Sequence, residues 1–185
     1  MIEGENEMFG RDLRQQYLDL VCRIDEEIKK TAELHGTRLH CAPGCSQCCA
    51  ISSVLPLEAE LLRQAFGRLN GQVKKKIQAR AGAPSCPLLV DRLCVVYQSR
   101  PIICRTHGLP IAYVDDERQA IEVSACPLNF ADDYSFDQRE LFFIDSFNGE
   151  LVRLNEEYCA ARGINSRERV PMGELLDCVL VGRGS

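Results

Sequence analysis

Nine consecutive residues, Cys41-Ala42-Pro43-Gly44-Cys45-Ser46-Gln47-Cys48-Cys49, hold four of the chain's 11 cysteines. Thiolates that share one metal must converge: with Zn–S near 2.3 Å, the sulfurs of a tetrahedral site lie roughly 3.8 Å apart. Spacers of three and two residues let a looped backbone curl round a centre and present successive thiolates to it. Pro43 and Gly44 supply that curl. Cys48 and Cys49 are adjacent, so their side chains diverge in either regular conformation. Either they serve two centres, or one is a ligand and the other packs behind it.

A second group follows at Cys86, Cys94, Cys104 and Cys126. Residues 86–97 read as a tight hairpin turning near Asp91-Arg92, which puts Cys86 and Cys94 on opposite arms and near each other. Cys86-Pro87 and Cys126-Pro127 share a Cys-Pro step, and proline holds the preceding cysteine extended. Together Cys41, Cys45, Cys48, Cys49, Cys86, Cys94, Cys104 and Cys126 are the candidate metal ligands. They suffice for two four-coordinate sites, and one centre with supporting thiols fits equally well. Arg100 and Arg105 flank Cys104. Their guanidinium groups would offset the negative charge of a thiolate cluster, or pair with surface carboxylates. Tyr97 either donates its hydroxyl to a ligand sulfur or belongs to the core, its commoner use. His40 and His107 sit beside the cysteine groups. With eight thiolates present they are expected to support ligands or face solvent.

The run Cys41 to Cys49, then Cys86-Pro87, then Cys94-Val-Val-Tyr97, Arg100-Pro101 and Cys104-Arg105, then Cys126, resembles the YkgJ-like cysteine-cluster family of zinc- or iron-chelating domains. The resemblance covers about half the chain, and every cysteine of the family pattern is present. It implies metal or iron–sulfur binding in a small bacterial cytoplasmic protein, and no particular reaction. The same cysteine core resembles part of the larger flagellin lysine methylases. No G-x-G-x-x-G or other glycine-rich nucleotide loop accompanies it. The C-x-x-x-C-x-x-C spacing at Cys41, Cys45 and Cys48 also matches the radical S-adenosylmethionine signature. Those enzymes place an aromatic residue where Gln47 stands, and need a barrel for which this chain has too few strands.

The elements that must position these thiols are mostly helical. Leu13, Tyr17, Leu20, Ile24 and Ile28 predict a helix over 9–35, with Gly36 as its stop. Pro56 opens a second helix with Leu57, Leu61, Leu62, Ala65, Phe66 and Leu69 on one face, ended or bent by Asn70-Gly71. Lys74 to Lys76 read as a solvated face. Ser99 to Cys104 suit a single helical turn capped by Ser99. A second hairpin follows, with Leu109, Ile111 and Tyr113 alternating before Asp115–Gln119 and Ile121 and Val123 after it. Leu141, Ile144, Phe147, Leu151, Leu154 and Tyr158 predict a long helix over 137–162, and a short one closes the chain near 173–181. Cys22, Cys159 and Cys178 lie in these helices and read as packing residues. The expected fold is mainly α with small β-hairpins, an irregular α+β arrangement. It forms one domain over 1–185: an N-terminal helix at 9–35, a cysteine-cluster core at 37–127 and C-terminal helices at 137–181.

The bulk properties fit this reading. The chain has 185 residues, 45% hydrophobic and 26% charged, with no tryptophan. Its net charge of −5 lacks the basic footprint of a nucleic-acid binder. No apolar run approaches the ~20 residues of a membrane span. Met1 to Met8 do not read as a secretory signal, so the expected compartment is a reducing cytoplasm, where many cysteines mean metal or redox chemistry. The cofactor expected is an iron–sulfur cluster, with [4Fe-4S] compatible with the first group, or Zn(2+). Surplus thiolates and scarce histidines tilt the choice to iron–sulfur. The roles to weigh are electron transfer, sensing or metal chelation by a binding protein, an enzyme using the cluster for redox or group transfer, and a metal-free thiol redox protein. The partner beyond the metal or cluster is not specified by the sequence.

Overall fold

The apolar stripe at the N-terminal end forms one long helix, α1 (Ile2–His35), longer than the stripe alone predicts. Leu13, Tyr17, Leu20, Val21 and Ile24 are buried on one side of it. Gly36 ends it at φ +53°, a left-handed conformation glycine adopts without a Cβ clash. The computed structural model describes residues 2–50, 52–80 and 85–175. In chain order the remaining elements are β1 (Ser53–Val54), α2 (Pro56–Gly67), α3 (Gly71–Gln78), β2 (Leu89–Val90), β3 (Leu93–Cys94), α4 (Ile102–Thr106), β4 (Ile111–Asp115), β5 (Ala120–Ser124), β6 (Phe142–Phe143), α5 (Asp145–Ala160) and β7 (Val170–Pro171). Helices thus combine with small sheets of two or three strands in a mixed α+β fold. No helix among the described residues is long and apolar enough to cross a membrane.

The chain forms two compact units, each assembled from segments distant in sequence. One is Met1–Cys41 with Arg105–Leu154, and the other is Ala42–Cys104 with Asn155–Ser185. In the first unit, β5, β4 and β6 make a sheet in that order, with β4 antiparallel to β5 and parallel to β6. α1 packs on β6 and on the 3-10 turn Gln138–Glu140. Phe142 is fully buried, its ring stacked on Phe147 at 5.8 Å. At the end of α1, buried His35 donates from Nε2 to the Glu140 carbonyl at 2.8 Å and meets Phe130 and Phe136 edge-on.

This overturns part of the helix expected over 137–162. Only 145–160 is helical. Asp137 and Glu140 form a reciprocal cap around the 3-10 turn. Leu141 is extended, and Phe142 pairs alongside Ile111 of β4. Leu141 to Ile144 are four consecutive apolar residues, a run that periodicity alone cannot assign to helix or buried strand. A strand partner thirty residues earlier in the chain decides it.

The second unit has its own apolar core. Val54, Leu62, Phe66, Ile77, Leu88, Val90, Val96, Met172 and Leu175 are buried together, with Cys86 and Cys94 packed against them. Its sheets are β1 with β7, and the β2–β3 hairpin. That hairpin turns at Asp91 and Arg92, both at positive φ (51° and 63°), the geometry of a two-residue turn matched to strand twist. Asn70 does not merely end α2. Its side chain accepts from the Val73 N–H at 3.0 Å and starts α3. The expected turn over Ser99–Cys104 shifts as well. Tyr97–Ser99 form a 3-10 turn, Arg100 is extended before Pro101, and α4 begins at Ile102. The helix expected near 173–181 lies mostly outside the described residues, as does Cys178.

Candidate metal centre

The second unit gathers the thiols of Cys49, Cys86, Cys94 and Cys104 within electrostatic reach of one another. Three segments bring them there. Turns closed by Cys45 N–H to the Ala42 carbonyl (2.9 Å) and Cys49 N–H to the Ser46 carbonyl (3.0 Å) shape the first group, with Gly44 at φ +94°. The Cys86 N–H donates to the Cys49 carbonyl at 3.0 Å, tying the second group to the first. The hairpin then places Cys94 opposite Leu89, and Val95 donates to the Leu88 carbonyl at 3.0 Å. Arg92 at the hairpin turn donates to the Gly44 carbonyl at 3.0 Å, and Asp91 takes Lys76 at 2.8 Å. One of the three lysines read as a solvated face therefore anchors this turn.

The third segment is held by Glu58, a carboxylate only 4% exposed. It accepts from Ile102 N–H, the first residue of α4, at 2.9 Å, and from Leu55 N–H at 3.4 Å. The backbone donors at the starts of α2 and α4 are satisfied by one side chain. Arg100 closes the same loop. Its guanidinium stacks 3.6 Å from the Tyr97 ring centroid and donates to the carbonyls of Tyr97 (3.1 Å) and Cys104 (3.3 Å). Tyr97 itself is 56% exposed, so it is not a core residue.

The electrostatics of the four thiols share one cause. Burial first, then neighbouring Cys86, Glu58, Cys94 and Cys49, push the Cys104 thiol from an ordinary 9.0 up to about 12. Burial, then Cys86 and Cys94, raise Cys49, opposed by a hydrogen bond from Cys48 and by Arg100. Burial also raises Cys86 and Cys94. Backbone N–H groups of Leu88 and Leu89 at the Cys86 sulfur, and of Val96 at the Cys94 sulfur, work the other way. Burial and like charge thus disfavour thiolates, while oriented N–H donors and one guanidinium favour them.

Cys48 and Cys49 do not diverge as regular structure would require. Cys48 lies in a turn, and its thiol hydrogen-bonds to that of Cys49. Cys45 is exposed. Cys41 and Cys126 belong to the first unit. Arg105, also there, donates to both carboxylate oxygens of Asp25 of α1, at 2.7 and 3.1 Å. His40 is exposed and His107 half-buried. Of the cysteines read as packing residues, Cys159 is buried, whereas Cys22 is exposed on α1.

All the cysteines among the described residues are free thiols. As they stand, no three His, Cys, Asp or Glu side chains among the described residues are grouped to hold a metal ion. The donor chemistry fits one: soft sulfur donors without competing histidine suit zinc or an iron–sulfur cluster. A cation would also relieve the mutual repulsion that raises these thiols.

The family model CxxCxxCC, described as "Putative zinc- or iron-chelating domain", matches residues 40–127. The match agrees with the resemblance to this cysteine-cluster family carried by the segment's motifs. The family description supports cysteine-ligated metal binding. No curated protein and no solved structure matches the chain. Sequence reasoning missed Glu58 as part of this neighbourhood. Its place three residues after Leu55, at the start of a proline-led helix, signals a cap, but nothing local signals the reach to Ile102.

Proposed function

We propose that this protein binds an iron–sulfur cluster through Cys49, Cys86, Cys94 and Cys104, and uses it for electron transfer or sensing. The observation that carries the reading is the set of four half-buried thiols from three separated segments, near enough that their ionised forms would repel one another. Neutral thiols sit there at little cost, whereas holding them as thiolates in a partly desolvated place needs a cation to compensate the charge. Backbone N–H groups directed at the Cys86 and Cys94 sulfurs support it, because such donors stabilise metal-bound thiolates. The surplus of thiols and the scarcity of histidine among them favour a cluster over zinc. Cys48 supports Cys49 as a hydrogen-bond donor, and Arg100 offsets charge beside Cys49 and Cys94.

The test is iron, zinc and acid-labile sulfide per chain after purification without oxygen. Iron with equal sulfide, lost in Cys104→Ser, supports the proposal. Zinc without sulfide replaces the cluster by a closed zinc site. Absence of both elements overturns metal binding and leaves a thiol redox protein.

A further inference from the structure

In the first unit, Cys41, the first cysteine of the motif, sits in a cradle built by Asn129 and Gly108. The Asn129 side-chain amide makes three contacts. Its Oδ1 accepts from the His40 N–H at 2.9 Å. Its Nδ2 donates to the Gly108 carbonyl at 2.7 Å and to the Cys41 Sγ at 3.4 Å. The Oδ1 contact to a backbone donor and the Nδ2 contact to a carbonyl fix which end of the amide faces the sulfur. Asn129 is in turn placed by the Cys126-Pro127 turn, where its N–H donates to the Cys126 carbonyl at 2.9 Å. On the other side, Gly108 leaves room for the sulfur. A Cβ there would stand 2.6 Å from Cys41 Sγ, and the backbone has φ +101°.

We infer that Asn129 is the positioning residue for Cys41, holding its sulfur in one orientation and supplying an N–H donor to the thiolate when it ligates metal. This rests on the metal-binding reading above and concerns Cys41 within the first unit alone. An exposed cysteine at a loop would otherwise sample several rotamers, and each must be given up on ligation. The cradle removes that cost beforehand. An N–H donor to sulfur also stabilises the charged form that a metal requires. The asparagine cannot be replaced by its acid without loss, since aspartate keeps the shape but offers the sulfur no N–H and a repelling charge.

The experiment has two arms on the full chain. In metal-free protein, the Asn129 side-chain amide protons are followed by NMR. The proton facing Sγ is expected to lie downfield and to move on Cys41→Ala, whereas a resonance indifferent to Cys41→Ala overturns the contact. In the second arm, Co(2+) is the probe, and the intensity of its thiolate charge-transfer absorption is compared in the wild type, N129A, N129D, C41A and the N129A/C41A pair. Asn129→Ala is expected to lose as much absorption as Cys41→Ala or to weaken cobalt binding at least tenfold, with no further loss in the double variant. N129D, nearly isosteric, keeps the arm decisive if N129A folds poorly. Wild-type absorption in both Asn129 variants overturns the inference while leaving metal binding intact. If the wild type takes up no cobalt, iron or zinc while the amide proton still answers to Cys41→Ala, the metal reading falls and the positioning contact stands.

Discussion

The two units treat cysteine in opposite ways. The second unit half-buries a group of thiols, Cys86 and Cys94 against an apolar core, and desolvation with neighbouring negative groups takes Cys104 up to about 12. The first keeps Cys41 exposed and fixes it by an amide and a missing Cβ. Burial makes a thiol poor at ionising but shields whatever it binds. A cradle leaves it accessible and oriented. A chain that needs several thiols can use both devices, and the difference is open to test.

The largest expected effect is on metal content. Cys49→Ser or Cys104→Ser should lower bound metal per chain at least tenfold and destabilise the second unit, since site formation is coupled to folding. Elemental analysis with thermal melts checks this, and two variants with full metal content would remove the distinction drawn here. Next is the core behind Cys86 and Cys94. Phe66 is fully buried there, and Phe66→Ala should cost about 3–5 kcal/mol in urea unfolding. A loss under 1 kcal/mol would mean that the thiols do not rest on a packed layer.

The pH dependence has a definite sign. The four thiols have folded values raised above the ordinary 9.0, so the folded, metal-free chain holds their protons more tightly than the unfolded one. This stability is fully present below pH 9 and is lost as pH rises from there toward about 12. Denaturant midpoints measured across that range should fall, and the fall should shrink in Cys104→Ser. Metal reverses the balance: at pH 7 its binding should release about four protons, one for each protonated thiol that becomes a ligand. Calorimetry in buffers of different ionisation enthalpy counts them.

Glu58→Gln is a finer probe. It removes a negative neighbour of Cys104 and leaves one good acceptor for the N–H groups of Leu55 and Ile102. About 1–3 kcal/mol of stability should be lost, while alkaline sensitivity becomes weaker. Unchanged alkaline sensitivity would detach Glu58 from the thiols. The smallest effect belongs to Cys22→Ser on the exposed side of α1, within about 0.5 kcal/mol of wild type by melting.

The parts of this architecture legible in the sequence are local. The turn at Pro43-Gly44, the hairpin at Asp91-Arg92 and the stripe of α1 each depend on residues a few positions apart. So does the cysteine spacing that gave the family. The 141–144 strand was hidden because its partner, β4, lies thirty residues away. Glu58 and Asn129 were hidden for the same reason. Glu58 meets a donor 44 residues along the chain, and Asn129 meets a sulfur 88 residues back. A single sequence shows that both residues are polar and does not show what they reach. Of the two readings of Tyr97, donor to a ligand sulfur or core, the core one fails because the ring lies exposed under an arginine, and nothing in the local sequence shows that stacking.

The pairing of Ser53–Val54 with Val170–Pro171 has a consequence in time. A chain is made from its N-terminus, so Cys49, Cys86, Cys94 and Cys104 all exist before the strand that completes their unit. At roughly 5–20 residues per second the interval lasts several seconds. During it the nascent thiols are open to oxidants and to metal donors alike. Under the proposed metal binding, whichever reaches them first decides whether the finished chain is loaded.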